Sequence, residues 1–202
     1  LFSEEIPADL QNRTRQEFLQ KIKEFLEKEE IKYTGEATAF SIPNRLTIYF
    51  QNIPKKIIKK ENEIRGPNIN APEVALHGFL KSYNIPKNKT FKKTTDKGEF
   101  YFYKKPSETI ETKYVLQKNL PRILDKISWR KSMRWADHKL YWGRPLKSIL
   151  CCFDNQILEF AYHHLFSSNI TFTDKDFEQK TKKFVRFKDY LAFFKSQNII
   201  LD

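Results

Sequence analysis

Strand-length apolar runs in this chain come in pairs joined by short turn signals, and helical segments fall between the pairs rather than between single strands. Residues 33–41 and 46–53, rich in β-branched and aromatic side chains, flank Pro43-Asn44. Residues 91–95 and 99–105 flank Asp96-Lys97-Gly98, a tight-turn signal because glycine accepts backbone angles that other residues avoid. Residues 147–153 and 157–164 flank Asp154-Asn155 and read as a third antiparallel hairpin. Apolar residues at helical spacing predict a helix over 8–30 (Leu10, Phe18, Leu19, Ile22, Phe25, Leu26) after Pro7, and another over 72–83 (Val74, Leu76, Phe79, Leu80), ended by Pro86. A helix over 107–127 would start on Ser107 as N-cap and kink or split at Pro121. Phe187, Tyr190, Leu191 and Phe194 predict a further helix, with a short strand at 199–201. A doubly wound fold would alternate single strands with helices, so this order predicts an α+β fold, mostly antiparallel sheet with helices packed on it. The charged connector 55–63 and the turn signal Arg65-Gly66-Pro67-Asn68 place a candidate subdomain boundary near 55–67 within one region covering 1–202.

The 202 residues, 40% of them apolar, suffice for a substantial core. Lys and Arg number 37 against 25 Asp and Glu, a net charge of +12. Such a surplus favours an anionic partner: RNA, DNA or an acidic membrane surface. The plainer alternative is the lysine-rich usage of an AT-rich genome. The only cysteines, Cys151 and Cys152, are adjacent and have no spaced partner, which fits a reducing cytosol. No apolar stretch reaches the roughly 18 residues a membrane span needs, and the start lacks a signal-peptide layout. A chain that opens on Leu1 without methionine reads as an excised piece.

Catalytic patterns are sparse. The five glycines are scattered, whereas a phosphate loop clusters them so that backbone amides wrap the anion. His163-His164 and Cys151-Cys152 could supply at most one His and one Cys to a metal if both lie on strands, where neighbours face opposite ways; ordinary packing is the competing reading. Glu4-Glu5 fits helix entry or an ion pair better than a paired acid and base. No spacing assembles Ser, His and Asp. Basic residues interleaved with aromatics occur three times: Phe91-Lys92-Lys93 with 101–105, Trp129-Arg130-Lys131-Ser132-Met133-Arg134-Trp135, and 182–188. Cations neutralise phosphates and aromatic faces stack on unpaired bases. The first stretch reads as core with solvated lysine rims; the second, followed by Lys139 and Arg144, fits RNA contact and core packing equally.

Several short signatures stand in order: Ser3-Glu4-Glu5-Ile6-Pro7, Ile42-Pro43-Asn44-Arg45-Leu46, Glu63-Ile64-Arg65-Gly66-Pro67 with Ala71-Pro72 and Gly78-Phe79, Lys131-Ser132-Met133-Arg134-Trp135, and Trp142-Gly143-Arg144-Pro145. Together they resemble the amino-terminal region of the beta subunit of bacterial two-subunit glycyl-tRNA synthetase. The chain departs from that pattern at Asn44, where the family has the first Arg of Pro-Arg-Arg-Leu, and at Asn169-Ile170-Thr171-Phe172, where the family has Gly-His-Arg-Phe.

The resemblance implies a fold likened to the beta-chain domains of phenylalanyl-tRNA synthetase, cytoplasmic location and no membrane partner. It implies a two-alpha, two-beta tetramer in which the alpha subunit uses ATP and Mg to activate glycine and the beta subunit contributes to binding glycine tRNA. No catalytic residue, metal or cofactor is then expected in this stretch, and HD-like and anticodon-binding parts should follow Asp202. Arg130, Lys131, Arg134 and Arg144 become the candidates for tRNA contact, with Pro43 and Arg65-Gly66-Pro67 as turn architecture. An interaction scaffold with little RNA contact, marked by exposed apolar patches, is the alternative; a free-standing metal or editing enzyme is the third.

Overall fold

A computed structural model describes residues 1–173 and 180–201. The fold is α+β, with four α-helices and mostly antiparallel sheets among the described residues. The chain divides into two compact units, one made of Leu1–Ile57 with Glu111–Asp202 and the other of Ile58–Ile110.

The first unit is organised by a six-stranded sheet in the order Ala161–Tyr162, Leu165–Ser168, Leu146–Leu150, Phe2–Ser3, Arg45–Phe50, Ala37–Ile42. The two-residue strand Phe2–Ser3 is its keystone, pairing antiparallel with Leu146–Leu150 on one side and with Arg45 on the other. Helix α1 (Ala8–Lys28) follows directly, since Pro7 cannot extend a ladder but suits a helix entry. Its buried stripe is Leu10, Thr14, Phe18, Leu19, Ile22 and Leu26, the helical spacing of the sequence with Thr14 added and Phe25 only half-buried.

Three signatures meet at the keystone. The amides of Ser3 and Ile6 donate to the carbonyls of Asn44 and Pro43 at 3.0 and 2.5 Å, and the amide of Glu4 donates to the carbonyl of Pro145 at 3.0 Å. Arg45 is buried to 4% exposure. Its guanidinium donates to the Thr171 hydroxyl at 2.8 Å and to the Phe172 carbonyl, and stands over the rings of Phe2 and Phe194 at 4.7 and 4.5 Å. Burial lowers its pKa, opposed by Tyr190. Phe194 lies on α4 (Phe187–Ser196), is fully buried, and clusters with Phe184 and Tyr190.

Several expectations for residues 107–201 fail. Residues 107–111 are not helical: Glu108–Glu111 is a strand, and α3 runs from Thr112 to Leu124 without a side-chain cap. Pro121 lies inside α3 and removes one i→i−4 donor, yet the helix runs on to Leu124 and neither splits nor stops there; Tyr114 is 57% exposed. The long hairpin expected at 147–164 shrinks to two pairs, Cys152 with Ile157 and Phe153 with Gln156, around Asp154 and Asn155, both at positive φ. Leu146–Leu150 pairs instead with Leu165–Ser168 in parallel, which the chain can do because the intervening stretch is long enough for a crossover. Residues 199–201 form no strand; Ile199 and Leu201 pack on the Phe184 cluster.

The second unit is a three-stranded antiparallel sheet in the order Asn62–Asn68, Gly98–Lys105, Thr90–Thr95, with α2 (Glu73–Tyr83) beside the first of these. Arg65-Gly66-Pro67 is not a turn. It lies inside the strand at a bulge between the pairs Arg65 with Phe102 and Asn68 with Phe100, a place that tolerates proline's missing donor. Gly66 is required by packing, since a Cβ there would meet the Phe79 ring of α2 at 2.8 Å. Val74, expected on the buried face of α2, is 82% exposed, and Leu76 is the buried residue.

Replacing Arg45 by Ala strips the Phe172 carbonyl of its donor and opens a cavity among Phe2 and Phe194. We expect a loss of about 2–4 kcal/mol, read as a lower urea midpoint at unchanged slope, with Arg45→Lys intermediate because a lysine lacks the planar fork. An unchanged midpoint in the Ala variant would sink this account.

Candidate nucleic-acid interface

The Trp129–Pro145 stretch of the first unit is anchored by two tryptophans. The Glu17 carboxylate on α1 accepts the amide and hydroxyl of Ser128, at 3.0 and 2.8 Å, and so fixes the chain entering Trp129. Burial pushes the Glu17 carboxyl up, but the Ser128 hydrogen bonds and Lys21 outweigh it and leave the pKa lowered. Trp129 packs on Trp142, centroids 5.0 Å apart, and Trp142 is buried to 2% against Tyr162. A Cβ on Gly143 would fall 2.1 Å from the Trp129 ring, so glycine is obligatory beside Arg144.

From this anchor a two-stranded ribbon rises, Met133–Arg134 paired antiparallel with Tyr141–Trp142. Alternation along a strand sends Trp142 inward and Tyr141 outward. Tyr141 is 62% exposed and Trp135 44%. Arg130, Lys131, Arg134 and Lys139 are exposed, and Arg144 is half-buried with its guanidinium donating to the Gly143 carbonyl at 3.0 Å. None of these five forms an ion pair among the described residues. Both readings of the stretch therefore apply to different side chains: Trp142 is core with the half-buried Trp129 packed on it, while Trp135, Tyr141 and the exposed cations face solvent. Tyr141 is the ring that the sequence pattern does not single out; its one signal is a place one step out of phase with Trp142.

The ribbon's loop rests on histidines. The imidazoles of His138 and His164 stack with centroids 3.5 Å apart and planes within 5°. Trp135 meets His138 edge-on at 6.4 Å, and the Lys147 ammonium, ion-paired with Glu4, stands 5.9 Å from the Trp135 ring. His163 holds positive φ in a turn, so the opposite-faces argument for strands does not govern this pair; His163 instead reaches Asp125 at 3.4 Å. Burial, then the neighbouring His138 and His163, lower the pKa of His164.

The remaining sites of interest have quieter chemistry. Burial pushes the Cys151 and Cys152 thiols up, to about 12 and about 11, so both stay protonated at neutral pH, and Cys152 donates to the Phe184 carbonyl. No three His, Cys, Asp or Glu side chains converge among the described residues. Among the described residues no helix is long and apolar enough to cross a membrane. In the 182–188 stretch, Phe184 is core, Arg186 is held by Asp189 at 2.7 Å, and the Lys182 ammonium stands 4.0 Å from the Phe193 ring.

Two variants probe the anchor and its histidines. Gly143→Ala must displace the Trp129 ring, at an expected cost of about 1–3 kcal/mol and with a shift in tryptophan emission; a wild-type spectrum and stability would contradict the packing. For His164, the unfolded imidazole protonates near about 6.5 while the folded one resists to lower pH. Stability is thus full above that value and is lost as pH falls toward the folded pKa. His138→Asn removes a like-charged neighbour and should raise the His164 midpoint in an NMR titration; an unmoved midpoint would rule the neighbour out as a cause.

A family model described as glycyl-tRNA synthetase beta subunit matches residues 1–202. The glycine-tRNA ligase beta subunits of Rickettsia prowazekii (strain Madrid E) and Rickettsia typhi (strain ATCC VR-144 / Wilmington) are each 37% identical to this chain over 202 residues. That of Rickettsia felis (strain ATCC VR-1525 / URRWXCal2) is 37% identical over 204. Each match covers 100% of this chain and 30% of the relative, so the chain spans under a third of the relatives' length. Matched from end to end, the chain belongs to the glycyl-tRNA synthetase beta subunit family.

Proposed function

We propose that this chain is the amino-terminal part of a glycine-tRNA ligase beta subunit and that it contributes to holding glycine tRNA, with the Trp129–Pro145 ribbon as the contact. The observation that carries this reading is the ribbon itself: Arg130, Lys131 and Arg134 stand exposed, without carboxylate partners among the described residues, beside the exposed Trp135 and Tyr141. Unpaired cations are free to neutralise phosphate, and exposed aromatic faces can stack on bases. Arg144, closer to the tryptophan anchor, serves as the inner cation of the same set.

On this reading the partner is a catalytic alpha subunit in a two-alpha, two-beta assembly, which uses ATP and Mg to activate glycine in the cytoplasm. The chain itself supplies RNA contact and an assembly surface, not the chemical step, and needs no metal or cofactor of its own. The family kinship supports this division of labour. We also propose that the α+β body is akin to the beta-chain domains of phenylalanyl-tRNA synthetase, a likeness of fold that carries no editing activity with it.

The test is fluorescence-detected binding of glycine tRNA and an unrelated tRNA at about 50 and about 200 mM salt, with the parent chain and a variant carrying Ala at 130, 131, 134 and 144. We expect the variant to bind more weakly and with a salt slope shallower by up to about 4, close to one unit per lost phosphate contact. Preference for glycine tRNA would make the contact discriminating, and equal binding would make it an electrostatic platform. Parent-like affinity and slope in the variant would remove the ribbon from the tRNA contact, and no binding by the parent at low salt would favour the scaffold.

A further inference from the structure

The second unit carries eleven Lys and Arg against six Asp and Glu in residues 58–110, and its sheet presents one face built from rings and cations. Pairing sets Phe91 opposite Phe102, Lys93 opposite Phe100, and Arg65 opposite Phe102, so these side chains share a face. Gly66, the next residue after Arg65, points to the other face and meets Phe79 of α2 there. The rings of Phe91 and Phe102 stack with centroids 6.0 Å apart. The Arg65 guanidinium lies 3.6 Å from the Phe100 centroid, and the Lys93 ammonium 5.5 Å from that of Phe102. Phe102 is buried, Phe100 half-buried, and Phe91, Arg65 and Lys93 are exposed.

The charges on this face are unequally engaged. Lys93 is neutralised by Glu63 at 2.6 Å and Lys104 by Glu61 at 3.0 Å. Arg65 has no carboxylate partner among the described residues, and its guanidinium lies on the Phe100 ring. A guanidinium laid on an aromatic ring keeps its outer face for a second flat group and its N–H edges for an anion. A flat ring joined to an anion at short range is what an unpaired nucleotide offers, whereas an acidic peptide offers only the anion. Base pairing hides the flat faces of a duplex, so the fit is to single strands.

We propose that this sheet face is a stacking platform for unpaired nucleotides of RNA, centred on Arg65 and Phe91 and separate from the Trp129–Pro145 ribbon. It rests on the tRNA reading only in taking RNA as the polymer. One base stacks on the exposed guanidinium plane over Phe100, a second on the Phe91 ring, and the Arg65 N–H edge meets the phosphate between them.

The test titrates the intact chain with a fluorescein-labelled dodecamer of uridines and with a 12-base-pair RNA duplex. Arg65→Lys keeps the charge but removes the plane, and Phe91→Leu keeps the bulk but removes the ring. Each should weaken dodecamer binding about tenfold, within the range of one lost base stack, with circular dichroism and the thermal midpoint held at parent values and duplex binding unchanged. Cross-linking of 5-bromouridine RNA to the peptide spanning 87–105 would place the strand on this face. The proposal is overturned if both variants bind the dodecamer like the parent, if the cross-link maps elsewhere, if polyglutamate displaces the dodecamer from the parent but not from Arg65→Lys, or if the parent binds no dodecamer. The four-fold Ala variant of the ribbon separates the two readings: it should lose tRNA affinity while keeping dodecamer binding, and losing both equally would merge the sites and overturn the platform.

Discussion

The first unit depends on one buried cation. Taking a guanidinium out of water costs several kcal/mol unless its donors and its charge are met, and no carboxylate meets Arg45 among the described residues. Instead it gathers the Thr171 hydroxyl, the Phe172 carbonyl and the faces of Phe2 and Phe194. Those four groups belong to the first strand, the strand Ile170–Phe172 and helix α4. Satisfying one side chain therefore requires the two ends of the described chain to come together over the sheet. The stretch Asn169 to Phe172 supplies Arg45 with its oxygen partners.

The ordered signatures are joints before they are contact residues. The backbone of Ser3, Glu4 and Ile6 hydrogen-bonds the carbonyls of Asn44, Pro145 and Pro43, so three signatures far apart in sequence close one seam. Two prolines at that seam, Pro43 and Pro145, present a carbonyl without an N–H that would compete for a ladder. Gly143 adds a steric requirement through Trp129 and Gly66 another through Phe79. Such constraints of packing and backbone pairing fix residue type tightly at these positions.

The basic surplus is spent unevenly. Lys55, Lys93, Lys104 and Arg186 sit in ion pairs with nearby acids, whereas Arg130, Lys131, Arg134 and Arg65 form none among the described residues. A net charge says how many cations are in excess but not which are free, and among the described residues Arg134 and Arg65 are unpaired cations that lie beside rings. The ribbon's position is set by apolar packing at Trp129 and Trp142, so its cations can stay solvated while their backbone is held.

Much of the local structure was legible from sequence. Leu10 to Leu26 at helical spacing predicted α1, Asp96-Lys97-Gly98 predicted the hairpin that Gly98 closes at positive φ, and the interruption of hairpins by helices predicted the α+β class. In each case the signal and the structure it specifies lie within a few residues of one another. The misreadings came where a distant partner decided. Leu146–Leu150 left its hairpin for a parallel neighbour, Arg65-Gly66-Pro67 entered a strand as a bulge, and 108–111 became strand rather than helix. For the candidate interface, sequence named Arg130, Lys131, Arg134 and Arg144 and the tryptophans around them, because charge and ring are properties of the residue. Which tryptophan faces the core and which faces solvent, which cation has lost its freedom to an acid, and that Arg45 is buried at all were decided only by tertiary structure. Exposure and pairing are properties of neighbours in space, and those neighbours, from Phe2 to Phe194, lie too far along the chain for any local pattern to carry.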